Sequence, residues 1–271
     1  MMKLQWSKSV GGENPWEPEC FGVFSERNGL VVFFFLERNK LYAITENCNL
    51  VRINCAVAAG EVLPLPRKWI VTEIEGTPYL CLSAKYMINL QSYEVNDQPE
   101  KAEDAYCAAA KSEDYYVYAP FQLGDYRIEH KGECGYLCRK DGQIIWKFNG
   151  RAYLYTEILR WKDSIFFGTA GNGGYFYVLG IEDGAVLTAI KTGGTTSIVR
   201  EKHLCYVLSN DKKAKLLCID LRDGKVIQEV DLPGKATMNS RLQLLNGKLH
   251  AVTFVYRKHV LESVMWNCVE I

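Results

Sequence analysis

Three stretches decide the reading: DGQIIWKF (141–148), DGAVLTAI (183–190) and DGKVIQEV (223–230). Each places Asp-Gly, a strong hairpin-turn dipeptide, before an alternating apolar run, and the three stand 42 and 40 residues apart. Each follows another alternating run, GYLCRK (135–140), YFYVLGIE (175–182) and KLLCIDLR (215–222). Alternation with a period of two is the pattern of strands, so an antiparallel strand, turn, strand unit recurs three times. A repeat of roughly 40 to 50 residues marks architectures in which each unit covers the next.

Extended outward, the frame predicts units of four short strands, with a glycine after the fourth at Gly60, Gly150, Gly193 and Gly234. The first unit reads ECFGVFSE, LVVFFFLE, KLYAITE and NLVRINC; the second reads EVLPLPRK, WIVTEIEG, YLCLSAKY and MINLQSYEV. The fourth reads LYTEILRW, SIFFGTA, YFYVLGIE and AVLTAIKT, and the fifth TTSIVREK, LCYVLSN, KLLCIDLR and KVIQEVDL. The sixth, SRLQLL, KLHAVTFVY and VLESVMWNCVEI, lacks a fourth strand, and MKLQWSKSV at the N-terminus, with a tryptophan near its start, supplies one.

The strand, Asp-Gly, strand-with-tryptophan pattern resembles the repeats of the PQQ-like (quinoprotein-like) group of β-propellers, firmly over residues 114–235 and more weakly elsewhere. The resemblance implies an all-β, six-bladed propeller over residues 1–271, one domain, closed by the N-terminal strand completing the last blade. Physically, a lone four-stranded sheet leaves both faces bare, and radial stacking covers them. A two-sheet sandwich is the competing arrangement. The quinone enzymes of that group are exported and carry adjacent cysteines and calcium ligands, and this sequence has no Cys-Cys pair. The resemblance therefore implies the fold without the quinone site, and no cofactor is expected.

The third unit is the least regular. QPEKAEDAYCAAAKS (98–112) has a helix-like start at Asp97 and Pro99, yet the repeat asks for a strand, and AYCAAAK is read as the innermost strand of the third blade. FQLGDYRIEHKGE (121–133) is then read as a long insertion between its second and third strands.

Of the 271 residues, 48% are hydrophobic and 24% charged, and 32 basic side chains balance 32 acidic ones. That suits a folded domain and gives no field that would gather nucleic acid or anionic lipid. The longest apolar run, Gly29–Leu36, falls short of the roughly 20 residues of a membrane helix, and MMKLQWSKSV has no signal-peptide core. A cytoplasmic protein contacting neither nucleic acid nor membrane is expected. The ten cysteines are then expected as thiols, mostly core positions such as Cys205, Cys218 and Cys268. CGYLC (134–138) has the wrong spacing and too few partners for structural zinc.

Catalytic signatures are sparse. His130, His203, His250 and His259 stand singly, and neither an HExxH nor a GxSxG element occurs. GNGG (171–174) and TGGTTS (192–197) read as turns rather than phosphate loops, and most tryptophans read as packing between blades. The informative asymmetry lies in the connections, where a rigid scaffold carries binding residues. On one propeller face fall Trp16 and Glu17 in GGENPWEPE, Glu100, Glu103 and Asp104 in NDQPEKAED, and Tyr126, Arg127, Glu129 and His130 in the insertion. Arg257 and His259 complete the set. Tryptophan in a polar connection suits an interface anchor. The expectation is a non-enzymatic binding protein that recognises another protein through this face, in its narrower form an inhibitor or immunity protein that neutralises a bacterial toxin such as a nuclease. Acidic Glu13, Glu17, Glu19, Glu100, Glu103, Asp104 and Glu133 would complement a basic partner. The alternative is a small-molecule hydrolase or lyase with a metal at the central channel, with Glu157 and Asn239 as contributors.

Overall fold

The structure, a computed structural model, describes residues 1–10, 20–27, 30–37, 40–45, 50–53, 70–81, 87–92, 94–96, 121–131, 135–154, 156, 158–170, 173–237 and 240–271. Among these residues every regular element is a strand, and the strands form six separate antiparallel sheets. Strand β1 (Lys3–Val10) does not join the sheet that follows it. The first sheet is a meander of β2 (Cys20–Arg27), β3 (Leu30–Glu37), β4 (Lys40–Thr45) and β5 (Leu50–Ile53). The second is β6 (Ile70–Ile74), β7 (Thr77–Cys81), β8 (Met87–Asn89) and β9 (Val95–Asn96). The third is β10 (Phe121–Leu123), β11 (Tyr126–Lys131), β12 (Gly135–Lys140) and β13 (Gln143–Asn149).

The fourth sheet runs β14 (Tyr153–Leu154), β16 (Ser164–Ala170), β17 (Gly174–Gly180) and β18 (Val186–Gly193), with β15 (Leu159–Trp161) also on β16. The fifth is β19 (Thr195–Glu201), β20 (Leu204–Asp211), β21 (Lys213–Asp220) and β22 (Lys225–Asp231). The sixth joins β23 (Leu242–Leu245), β24 (Lys248–Arg257) and β25 (Val260–Glu270), and β1 pairs with β25 from Lys3–Glu270 to Val10–Val264. The expected completion of the last sheet by the N-terminal strand is thus present.

Two expectations are corrected. MINLQSYEV is not one strand but β8 and β9, because Asn89 Oδ1 accepts the amide protons of Gln91 and Ser92 and turns the chain. The second sheet therefore begins with β6, one strand later than read, and EVLPLPRK lies outside the described residues. FQLGDYRIEHKGE is no inserted loop: β10 and β11 form a hairpin with Leu123 opposite Tyr126. Gly124, at φ 60°, sits first in its two-residue turn, where a mirror-image hairpin turn wants glycine. These are the first and second strands of the third sheet, so AYCAAAK (105–111) is not needed there; residues 98–112 are outside the described part.

The second and third strands of the fourth and fifth sheets are largely buried on both faces, and alternate residues serve different layers. Ile165 and Phe167 of β16 pack with Ile128, Tyr136 and Trp146 of the third sheet, whereas Phe166 packs with Val207 and Leu217 of the fifth. Tyr206 and Leu208 of β20 meet Leu242, Leu249 and Val269 of the sixth. Val252, Phe254 and Trp266 of the sixth sheet, with Val10 of β1, share a cluster with Ile44 of the first.

A recurring clasp fixes this stacking. Trp146, on the outer strand of the third sheet, lies over the next sheet's Asp-Gly turn, its Nε1 donating to the Ile181 carbonyl at 2.7 Å. A β-carbon at Gly184, which has φ 67°, would reach within 2.6 Å of the indole. Thr188 holds the same strand position on β18 and touches Gly224 in the same way. Gln228 holds it on β22 and makes two bonds to Met2, accepting from its amide at 2.7 Å and donating to its carbonyl at 2.6 Å. The Asp-Gly expectation holds in its simple form at Asp141–Gly142, both at positive φ as a mirror-image turn requires. Asp183–Gly184 and Asp223–Gly224 end longer turns, closed by Gly184 N–H to Gly180 O and Gly224 N–H to Asp220 O.

His250 sits in this core beside Trp6 and Trp266, and its Nδ1 accepts the Trp266 indole proton at 3.1 Å. Burial, aided by nearby Lys248, pushes the imidazole down from 6.5 to about 4. Between those values the unfolded chain holds a proton that the folded chain refuses, so stability falls as pH drops through this window. Wild type is expected to lose about 3 kcal/mol relative to His250→Gln between pH 7 and pH 4, from the size of the shift. Denaturant titrations of both proteins across that range check it; parallel curves contradict it.

Candidate functional site

In an antiparallel meander the first and third turns lie at one end of the sheet, and the second turn with the link to the next sheet lies at the other. Tyr126 and Arg127 flank the first turn of the third sheet, whereas Arg257 and His259 bound the second turn of the sixth. The structure thus places them at opposite ends of their sheets and does not bring them together. Glu129 lies on the sheet surface between Arg127 and Arg139 and pairs with both, at 3.1 and 3.2 Å. Tyr126 accepts from Lys140 and donates to Glu182. His130 is in β11, opposite Tyr136. Arg257 pairs with Glu262. Trp16, Glu17, Glu100, Glu103 and Asp104 lie outside the described residues, as do Glu157 and Asn239.

A different cluster forms at the expected end, where β13 hands over to the fourth sheet. The Arg151 amide donates to the Tyr177 hydroxyl at 3.2 Å, and its guanidinium lies 5.8 Å from the Tyr175 ring centre, with Nη1 donating to the Tyr175 hydroxyl at 3.5 Å. Tyr175 and Tyr177 stack at 5.6 Å and 24°. Phe148 of β13 meets Tyr177 edge-on at 5.1 Å and Phe167 at 6.0 Å, so aromatic contacts run unbroken from a buried ring to an exposed cation. Thr169 Oγ1 accepts the Tyr175 amide proton and donates to the Tyr175 carbonyl, pinning the start of β17. Exposed Lys191 stands opposite Tyr175 on β18, and exposed Ala189 opposite Tyr177.

The cluster is preorganised and half-open. Arginine over tyrosine contributes about 0.5–1 kcal/mol at such a site and leaves guanidinium N–H groups turned toward solvent. Sequence reading missed it because YFYVLGIE looks like a core strand, and nothing in the linear order joins Tyr175 to Arg151. The available signal was Tyr-x-Tyr at a strand start, together with arginine following the Gly150 that ends the third unit.

The other end has a separate feature. On β13, β18 and β22 the residues just past the Asp-Gly turn are exposed aliphatic pairs, Ile144–Ile145, Val186–Leu187 and Val226–Ile227. The second of each pair falls where the strand register shifts, so each outer edge is bulged there. Bulges twist an edge away from further strand pairing.

Among the described residues no group of three or more His, Cys, Asp or Glu side chains could hold a metal ion. Buried hydroxyls bond one another and the backbone, as with Thr192 and Thr195 at 2.9 Å and Thr156, which accepts the Gly168 amide proton at 2.7 Å. Cys138, Cys205, Cys218 and Cys268 are buried free thiols, and burial pushes Cys138 and Cys218 up to about 11.

No protein-family model matches the chain, and neither does any curated protein. Among solved structures, BamB from Moraxella catarrhalis aligns over 100% of both chains with a TM-score of 0.47 and 10% identity. The computationally designed Ika4 protein aligns over 49% of this chain and 81% of its own, with a TM-score of 0.37 and 13% identity.

Proposed function

We propose that the chain is a non-enzymatic protein-binding module, built as a six-bladed β-propeller whose last blade is completed by β1. It meets its partner through the face that carries the second turns and the inter-sheet links. The observation that carries the reading is the Arg151–Tyr175–Tyr177 cluster on that face. Tyrosine and arginine are enriched at binding hot spots, where a preordered aromatic body loses little entropy on contact. Among the described residues, core clusters that join the third to the fourth, the fourth to the fifth, the fifth to the sixth and the sixth to the first sheet support a ring.

The toxin-neutralising form of this reading rests on acidic residues outside the described part of the face. The described cluster at Arg151, Tyr175 and Lys191 is basic and aromatic, which suits an acidic counterpart. A cytoplasmic setting belongs to the same proposal.

The test is affinity purification of the tagged chain from its native cells at low and at high salt, with co-purifying chains identified by mass spectrometry. A stoichiometric protein, retained at low salt and lost when Arg151 and Tyr175 are both changed to alanine, is the expected result. A chain that comes out alone under every condition, but gains thermal stability with a divalent metal, points instead to the hydrolase or lyase alternative.

A further inference from the structure

The seam between the third and fourth sheets has a specific chemistry at the end that carries the inter-sheet links. Phe148, nearly buried, packs edge-on against Tyr177, and the Tyr175–Tyr177 stack has Ala189 and Lys191 beside it on β18. Arg151 caps the stack from the link between the sheets. Elsewhere on the described surface several basic side chains are neutralised: Arg127 and Arg139 by Glu129, Lys213 by Asp231, Lys215 by Glu229, Arg222 by Asp220. Among the described residues, neither Arg151 nor Lys191 has a carboxylate within ion-pair distance. Two exposed cations thus flank a tyrosine ring with no counter-charge among the described residues.

We infer that this exposed patch is a recognition site for an acidic segment of the protein partner, with Arg151 taking a carboxylate through its guanidinium fork and Lys191 a second one. This rests on the protein-binding reading and narrows it. A guanidinium presents parallel N–H groups that match a carboxylate pairwise, which an ammonium cannot do. The Arg151 amide bond to Tyr177 belongs to the backbone, so the link keeps its course when the side chain is changed. Tyr175 is fixed from behind by Thr169, so the platform does not depend on the bound segment.

The experiment places a photo-crosslinking benzoylphenylalanine at Ala189 in the full chain, irradiates it in native cells, and sequences the crosslinked peptide by mass spectrometry. Expected is a partner segment with Asp or Glu within about two residues of the crosslink, and a yield at least tenfold lower with Arg151→Gln or Lys191→Glu. A crosslink to a protein through a segment without carboxylates, or one indifferent to Arg151→Gln, overturns the acidic-segment assignment and leaves the binding reading standing. Absence of any protein crosslink at Ala189, with a partner still co-purifying, overturns this site alone. Absence of both overturns the reading and the site together. Circular dichroism and the melting temperature of each variant, expected unchanged, separate loss of binding from loss of fold.

Discussion

Deletion of residues 1–10 is expected to abolish cooperative folding of the whole chain, although it removes a single strand. β1 carries Met2 and Val10 into the core and lays Leu4 and Trp6 against it, with Trp6 edge-on to Trp266 at 5.3 Å. Burying side chains of this size stabilises by about 1.5–3 kcal/mol each, so Met2 and Val10 alone account for a large part of a typical margin of roughly 5–15 kcal/mol. The deletion also strips β25 of its partner from Val264 to Glu270 and leaves an open edge, which invites aggregation. Gln228 loses both bonds to Met2, and the clasp between the fifth and sixth sheets goes with them. A synthetic peptide of residues 1–12 added in trans should restore the melting transition, because strand addition replaces the same ladder and side chains. A truncated chain that melts at the wild-type temperature without the peptide contradicts this account.

The second large effect is expected at Trp146. Trp146→Ala removes a side chain that fills the layer between the third and fourth sheets and caps the Gly184 turn, and it should cost about 3–5 kcal/mol. For a chain of this size that is a fall in Tm of roughly 10 °C. Trp146→Phe keeps most of the volume but loses the bond to the Ile181 carbonyl, and should cost about 1 kcal/mol plus the residual gap. Denaturant midpoints give both values. Faster amide exchange at Gly184 in Trp146→Ala would show that the two sheets are coupled through this ring, while equal stability of the two variants would show that packing there is unimportant.

Much of the fold was legible because the repeat carries its turns in its chemistry. Asp141–Gly142 needs positive φ at both residues and has the two residue types that tolerate it. Strands such as KLLCIDLR are buried on both faces, so they read as apolar runs with a stable period. The misreadings have two causes, a local side-chain turn inside an apolar stretch and a strand whose pairing is set by tertiary contacts. Asn89 makes its turn through a side-chain oxygen inside an apolar, strand-like stretch. In YRIEHK the outward Arg127 and Glu129 look like loop residues, but Glu129 bridges Arg127 beside it and Arg139 across the sheet while Ile128 is fully buried between them. The expected face was read from loop asymmetry, whereas the cluster at that end joins Arg151 to Tyr175, residues 24 positions apart that only the packing of two sheets brings together. The acidic and tryptophan-bearing connections weighed in the sequence lie outside the described residues.

The most direct test of the central claim is amide hydrogen exchange on the chain alone and saturated with its co-purified protein partner. Protection is predicted at residues 149–153 and 173–177, on the face with the inter-sheet links, with little change at Gly142, Gly184 or Gly224. Protection confined to those Asp-Gly turns and to the exposed pairs Ile144–Ile145, Val186–Leu187 and Val226–Ile227 would contradict it, and would place the partner on the opposite face.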